Sequence, residues 1–384
     1  MITVRVFTIV VLSCAIASWF FISSGTEKSQ PNPFRRKHLL ERVCPDTGPD
    51  SAAPINFESL SIAIRDAVQR IQSENKDAVI ISTTVNKEAA EQNLPVFIKS
   101  LSYVQPPLLS QTLVFCLDKW ALRTCSNLHS NPMNCLYMDL KVSTKSLAPS
   151  TASLKDYNVR SYWRVTFGRV YATLKIHNEG VSVLPVDVDA VFLKNPFLKS
   201  EDILRFPESI AAVVDSKFFD LSATDANLLI NGGFLYFPAR NPKTAILTNN
   251  FLRDLWKKSC SSQNEQVEVT RLLKELHKSL PRKSKHRPRI LNPDKFLNFC
   301  STNCGTDKFS GITSLTDLKN LEIEMKNNSN FRACTPNVRK DWVFFHAACT
   351  VWPKGQFENL AKNKGAVQEA ILAWVQESRG ELMQ

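Results

Sequence analysis

Asp187 and Asp189 stand one residue apart at the end of the apolar run Val181–Val186, in the stretch DVDAVFLKNP. Read as a buried strand, that run sends residues i and i+2 to one face, so both carboxylates converge on a small volume at the strand's carboxyl end. Open α/β sheets bind their ligands there. Two hard oxygen donors, with few other carboxylates close in sequence, suit a divalent cation that keeps positions open for phosphate oxygens, as Mg²⁺ or Mn²⁺ does. The chemistry this predicts is activation of a diphosphate. Paired acids at this spacing are also common on solvated strand ends and turns, so the surrounding elements decide between the two readings.

Those elements alternate. Phe57, Leu60, Ile64, Ala67, Val68 and Ile71 recur at helical spacing and open the folded part. Val79-Ile80-Ile81 reads as a strand ending in Ser82-Thr83-Thr84-Val85-Asn86, a helical segment with Phe97, Ile98 and Leu101 follows, and Leu113–Leu117 is a second strand closed by Asp118. Strand, helix, strand in this order predicts a parallel sheet with right-handed crossovers. After a loop carrying Cys125 and Cys135, a helix from about Ser161 to Asn178 leads through Glu179-Gly180 into the strand that delivers the aspartates. Pro185 cannot donate to a ladder and is expected where pairing has stopped. Ile210–Val214 is a fourth strand ending in Asp215. Leu228–Phe237 is a fifth, where Gly232-Gly233 lets a ligand or another backbone come close. Helices over Pro242–Lys258 and Val267–Leu276, a strand over Trp342–Phe345 and a helix over Ala366–Val375 complete a mixed, mainly parallel α/β sheet flanked by helices.

The block Asp187–Pro196 meets every fixed position of the pattern D-x-D-x-V-[FW]-L-[KR]-[DN]-P and so resembles the metal-binding segment of the nucleotide-diphospho-sugar transferase family, glycosyltransferases of GT-A type. The resemblance runs from about Ala78 to Leu360. It implies a GT-A-like fold and transfer of a sugar from a nucleoside-diphosphate donor, most simply a UDP-sugar, to a hydroxyl of a glycan or glycoprotein, with retention of configuration. Asp187 and Asp189, with His346 from a His-Ala-Ala segment where the family reads H-A-N, are the implied ligands of Mn²⁺ or Mg²⁺. Thr83, Thr84, Asn86, Asp118 and Arg169 fall at positions implied to hold the nucleotide. Asp215, Asn231, Gly233, Glu265 and Gln266 fall where the sugar and acceptor are implied to bind. Blander readings stand beside these: Thr83-Thr84 and Asp118 as caps, Arg169 as an exposed helix charge, and His346 as a satisfied core residue. Ala348, and Lys354-Gly355 in reversed order, depart from the family on the acceptor side. No residue declares itself a nucleophile. Two other classes compete, a haloacid-dehalogenase-like phosphatase using Asp187 as nucleophile and a non-catalytic luminal binder of sugar nucleotides or glycans.

The chain of 384 residues, 43% hydrophobic and 22% charged, has an ordinary globular balance. Its formal charge of +12 is diffuse, apart from the run PRKSKHRPR at residues 281–289, which has no interleaved aromatics and reads as a solvated loop rather than a nucleic-acid groove. Val6–Ile22 carries no charge and reads as a membrane anchor, or as a cleaved signal, after a tail of residues 1–5. Residues 23–55, rich in Pro, Ser and charge, read as a stem, and 56–380 as the transferase domain. Either reading of the first segment sends the domain to the secretory lumen, with a Golgi membrane protein as the expectation. The 10 cysteines fit that compartment, lack a zinc-ribbon spacing and point to disulfides. Asn327-Asn328-Ser329 is a glycosylation sequon.

Overall fold

Ile80–Val85 is buried at every position, and a strand covered on both faces belongs inside a parallel sheet. A computed structural model of the chain describes residues 57–139, 155–198, 201, 203, 206–214, 221–222, 230–259, 265–298, 312, 314–326, 334–347 and 360–380, with backbone alone at 57, 155–164, 167, 360 and 361. In it β1 (Ile80–Val85) lies between β2 (Thr112–Cys116) and β4 (Val183–Pro185), with β3 (Cys135–Tyr137) outside β2, all parallel. The register places Thr83 beside Val114 and Ser82 beside Pro185.

Beyond β4 the direction reverses. β7 (Ile230–Tyr236) meets β4 through antiparallel bridges at Val183/Phe237 and Val186/Phe234, and it pairs antiparallel with β6 (Ala211–Val214). β8 (Arg289–Ile290) then runs parallel to β6. A second sheet, ordered β5-β10-β9, contains β5 (Ala190–Phe192), β9 (Phe296–Asn298) and β10 (Phe344–His346). The result is an α/β fold with a mainly parallel sheet between helices.

Neighbouring residues of each strand feed opposite layers. Ile80, Leu113, Phe115 and Val183 pack with Leu60, Ile64, Val68, Tyr171 and Trp256 of the helices Phe57–Glu74, Lys155–Asn178 and Pro242–Ser259. Ile81, Val114, Cys116 and Leu184 pack with Phe97, Leu101 and Ala121 of the helices Leu94–Tyr103 and Lys119–Leu128. Phe234, Phe344 and Phe192 join the two sheets, the first two at a ring separation of 4.4 Å and the last two at 5.4 Å. Edge-to-face contacts of this kind fix ring positions as well as burying area.

Several expectations need correction. Asp187 and Asp189 are not on a strand: they occupy the turn between β4 and β5, so they converge because the chain passes there from the large sheet to the small one. Pro185 lies inside β4 rather than beyond it. Its partner toward β1 is intact, and the side facing β7, where its missing N–H would count, is the side reduced to isolated bridges. Cys125 sits on the helix Lys119–Leu128 and not in a loop, and it is disulfide-bonded to Cys135 at the start of β3. The basic run is partly structural: Lys285 pairs with Glu208 at 2.7 Å, buried His286 lies 3.2 Å from Thr244 Oγ1, and Arg289 stacks over Phe206 in β8. Arg282 and Lys283 keep the solvated character expected of the whole run. Among the described residues no helix is long and apolar enough to cross a membrane. Val6–Ile22, the stem, the sequon, Asp215, Ala348 and Lys354-Gly355 lie outside the described residues.

Candidate active site

The turn carrying the aspartates is pinned from both sides. Val186 N–H donates to Ser82 O of β1 at 2.8 Å and Asp187 N–H to Gly233 O of β7 at 3.0 Å. Ala347 N–H, one residue past β10, donates to Asp189 O at 3.0 Å. From the far side Gln368, on the helix Leu360–Ser378, donates through Nε2 to Val188 O (2.9 Å) and Ala190 O (2.7 Å) while its Oε1 accepts from Asn93 Nδ2 (2.9 Å).

His346, 157 residues after Asp189, brings Nε2 to 3.1 Å from Asp189 Oδ1 and 3.4 Å from Asp187 Oδ2. Its other nitrogen, Nδ1, lies 3.0 Å from Asn231 Oδ1. That oxygen also accepts the Gly233 N–H at 2.7 Å, which fixes the Asn231 amide with its oxygen toward the ring. Nδ1 therefore donates, and the Nε2 lone pair faces two carboxylate oxygens. These lone pairs repel one another at the shared point, and a cation placed there would draw them together. Ligand atoms of Asp187, Asp189 and His346 all lie within 4.8 Å of one another, and two oxygens with one nitrogen are a donor set for a divalent metal ion. The residues present fit the ion that the sequence implies.

The charges around the cluster are fully engaged. Arg169 is buried and forked, one amino group on Asp187 Oδ1 and the other on Glu265 Oε2 at 2.7 Å, so it is no exposed helix charge. Lys364, from the helix Leu360–Ser378, takes Asp189 Oδ2. Burial alone would raise the Asp189 carboxyl, but the Lys364 ammonium outweighs it and holds it well below the usual carboxylate range. Burial pushes Glu265 the other way, upward, with Arg169 only partly offsetting it. Gly232 and Gly233 are glycine for a steric reason. A Cβ on the first would stand 2.9 Å from Arg169 Nη2, and on the second 2.3 Å from His346 Cε1.

Not every expected residue reaches this cluster. Asn86 Oδ1 accepts from Ala89 N–H at 3.0 Å and caps the helix Lys87–Gln92. Asp118 caps the helix Lys119–Leu128 through Ala121 N–H (2.8 Å), and its second oxygen takes Lys87 N–H (2.8 Å), stitching the carboxyl ends of β1 and β2 together. Thr83 and Thr84 are buried in β1 with their hydroxyls unpartnered. Gln266 lies beside Gly232, with Cγ 3.4 Å from where a Cβ would be. Sequence reasoning missed Lys364 and Gln368. Their signal was a polar pair on the inward face, Lys364 and Gln368 four residues apart and in line with buried Leu372.

The α/β sheet gathers two carboxylates and an oriented imidazole at its carboxyl edge, a donor set that could hold a divalent metal ion. Residues 107–314 match the nucleotide-diphospho-sugar transferase family, and the chain belongs to that family. Similar solved structures include the WbbM bifunctional glycosyltransferase in its apo form, at 15% identity and a TM-score of 0.41 over 80% of this chain and 52% of that one. The galactosyltransferase LgtC in complex with donor and acceptor sugar analogues is 14% identical, with a TM-score of 0.39 over 79% of this chain and 100% of that one. The glycosyltransferase GlyE of Streptococcus pneumoniae TIGR4 is 15% identical, with a TM-score of 0.35 over 78% and 65%. The chain thus spans about half the length of the first of these. No curated protein sequence matches the chain.

Proposed function

We propose that the protein is a metal-dependent transferase that moves a sugar from a UDP-sugar to a hydroxyl of a glycan or glycoprotein. The observation that carries this reading is the convergence of Asp187, Asp189 and an Nδ1-protonated His346, in a chain of the nucleotide-diphospho-sugar transferase family. Asp187 Oδ2, Asp189 Oδ1 and His346 Nε2 would hold Mn²⁺, or Mg²⁺. When bound, the ion neutralises charge that builds on the leaving diphosphate as the glycosidic bond breaks.

The chain's own groups prepare that step. Asn231 keeps the imidazole in the tautomer that can ligate, and Arg169 holds one oxygen of Asp187 so that the other stays aimed at the shared point. Thr83, Thr84, Asn86 and Asp118, at the ends of β1 and β2, border the nucleoside. Asn231, Gly233, Glu265 and Gln266, with Asp215, border the sugar and acceptor. Transfer proceeds with retention, as the family resemblance implies. The family membership disfavours the phosphatase reading of Asp187.

The protein acts in the Golgi membrane with its catalytic domain luminal, or is secreted if Val6–Ile22 is cleaved. Support comes from that apolar segment and from the Cys125–Cys135 disulfide, a bond suited to an oxidising compartment. A hydrolysis screen of the full chain across UDP- and GDP-sugars with Mn²⁺ tests the reading. Release of UDP from one UDP-sugar is expected, and turnover of none of the donors would reject it.

A further inference from the structure

Each side chain of the cluster offers two polar atoms, one turned to the shared point and one held from behind. Asp187 Oδ1 is held by Arg169, His346 Nδ1 by Asn231 and Asp189 Oδ2 by Lys364. Outer partners of metal ligands commonly include carboxylates and carbonyls, which make a ligand more basic. Lys364 does the opposite. Its ammonium competes electrostatically with any cation for Asp189, and it leaves that carboxylate a single free oxygen.

Lys364 is also not a wandering surface lysine. The next residue, Gly365, packs so closely that a Cβ there would lie 2.3 Å from Gln92 O. One helical turn further on, Gln368 grips the carbonyls on both sides of Asp189, at Val188 and Ala190. The helix thus delivers a fixed positive charge to the metal site, and Arg169 delivers another on the side of Asp187.

We propose that Lys364 is a positioning residue that couples ion binding to diphosphate binding, making the site weak for a bare divalent ion and strong for the ion together with a nucleoside diphosphate. The inference rests on the transferase reading above and deepens it. Asp187 and Asp189 are each answered by a side-chain cation, the Arg169 charge being shared with Glu265, so an added divalent ion still carries the site past neutrality to excess positive charge. An arriving diphosphate turns that repulsion into attraction for both the ion and Lys364. By linkage, UDP must then tighten Mn²⁺ by the same factor as Mn²⁺ tightens UDP.

The experiment measures Mn²⁺ affinity of the full chain by titration, with and without saturating UDP, and takes the ratio. In the wild type the ratio is large. Lys364→Met and Lys364→Gln lower it by about tenfold or more, whereas Lys364→Arg, which keeps the charge, stays close to the wild type. Gln368→Leu serves as the comparison for a merely structural role. It loosens the turn without changing charge, and is expected to weaken Mn²⁺ equally with and without UDP, leaving the ratio alone. Each affinity is a property of the folded molecules, so partial unfolding of one variant does not mimic the effect. An unchanged ratio in Lys364→Met and Lys364→Gln, or an equal loss in Lys364→Arg, overturns the proposal. A wild type that binds neither Mn²⁺ nor UDP overturns the transferase reading itself, a result distinct from any change in the ratio.

Discussion

The ring of His346 fills the space that a side chain on residue 233 would need: a Cβ there would stand 2.3 Å from Cε1 and 2.7 Å from Nδ1. Gly233→Ala must therefore displace the imidazole from its place between Asp187 and Asp189. Overpacking of this size costs about 1–3 kcal/mol of stability. The expected loss in Mn²⁺ affinity is larger than that cost explains, because the ligand moves off its aim. Mn²⁺ titration and melting temperature on the same variant check this, and unchanged Mn²⁺ affinity would refute it.

Asn231 acts through the tautomer it imposes. Asn231→Ala removes the acceptor of Nδ1–H and frees the ring to rotate or to protonate the wrong nitrogen, so Mn²⁺ affinity should drop about 10–100-fold. Asn231→Asp keeps an oxygen for both Nδ1–H and the Gly233 N–H. It should retain binding. Equal losses in the two variants would mean that the residue matters for packing rather than for orienting the ring.

Asp189 and Glu265 shift in opposite directions, and stability should follow each with its own sign. The folded chain holds the Asp189 proton less tightly than the unfolded chain, so its contribution is present above the usual carboxylate value, about 4, and is lost as pH falls below it. The advantage of wild type over Asp189→Asn in melting temperature should shrink on acidification from about pH 5 to about pH 3. Glu265 is raised, so the folded chain binds its proton more tightly and stability drains away as pH rises through and above that same range. Melting temperature of wild type relative to Glu265→Gln should therefore fall between about pH 4 and about pH 7. A flat difference in either pair would contradict the assigned direction.

The sheet was legible because its strands are apolar runs ending in polar residues. Ile80–Val85, Ala211–Val214 and Ile230–Tyr236 lie within a residue or two of the expected positions. Short strands were not. β5 and β9 have three residues each, too few to show a period, and exist because β10 pairs with both. The two aspartates and His346 were legible as residue types, yet the reason they converge is a change of sheet that no local pattern encodes. Arg169 looked like either a ligand or a solvated helix charge. Only its burial between Asp187 and Glu265 reveals a structural fork. Lys364 was hidden because its partner is 175 residues away in sequence.

The central claim is that Asp189 serves a metal-dependent transfer. The most direct measurement is release of UDP from a UDP-sugar by the full chain, wild type and Asp189→Asn side by side, with Mn²⁺ and with a chelator. Wild-type turnover that needs Mn²⁺ and disappears in Asp189→Asn, with the variant still folded, is the predicted result. Full turnover by Asp189→Asn in the chelator, or a phosphoryl group trapped on Asp187, would contradict it.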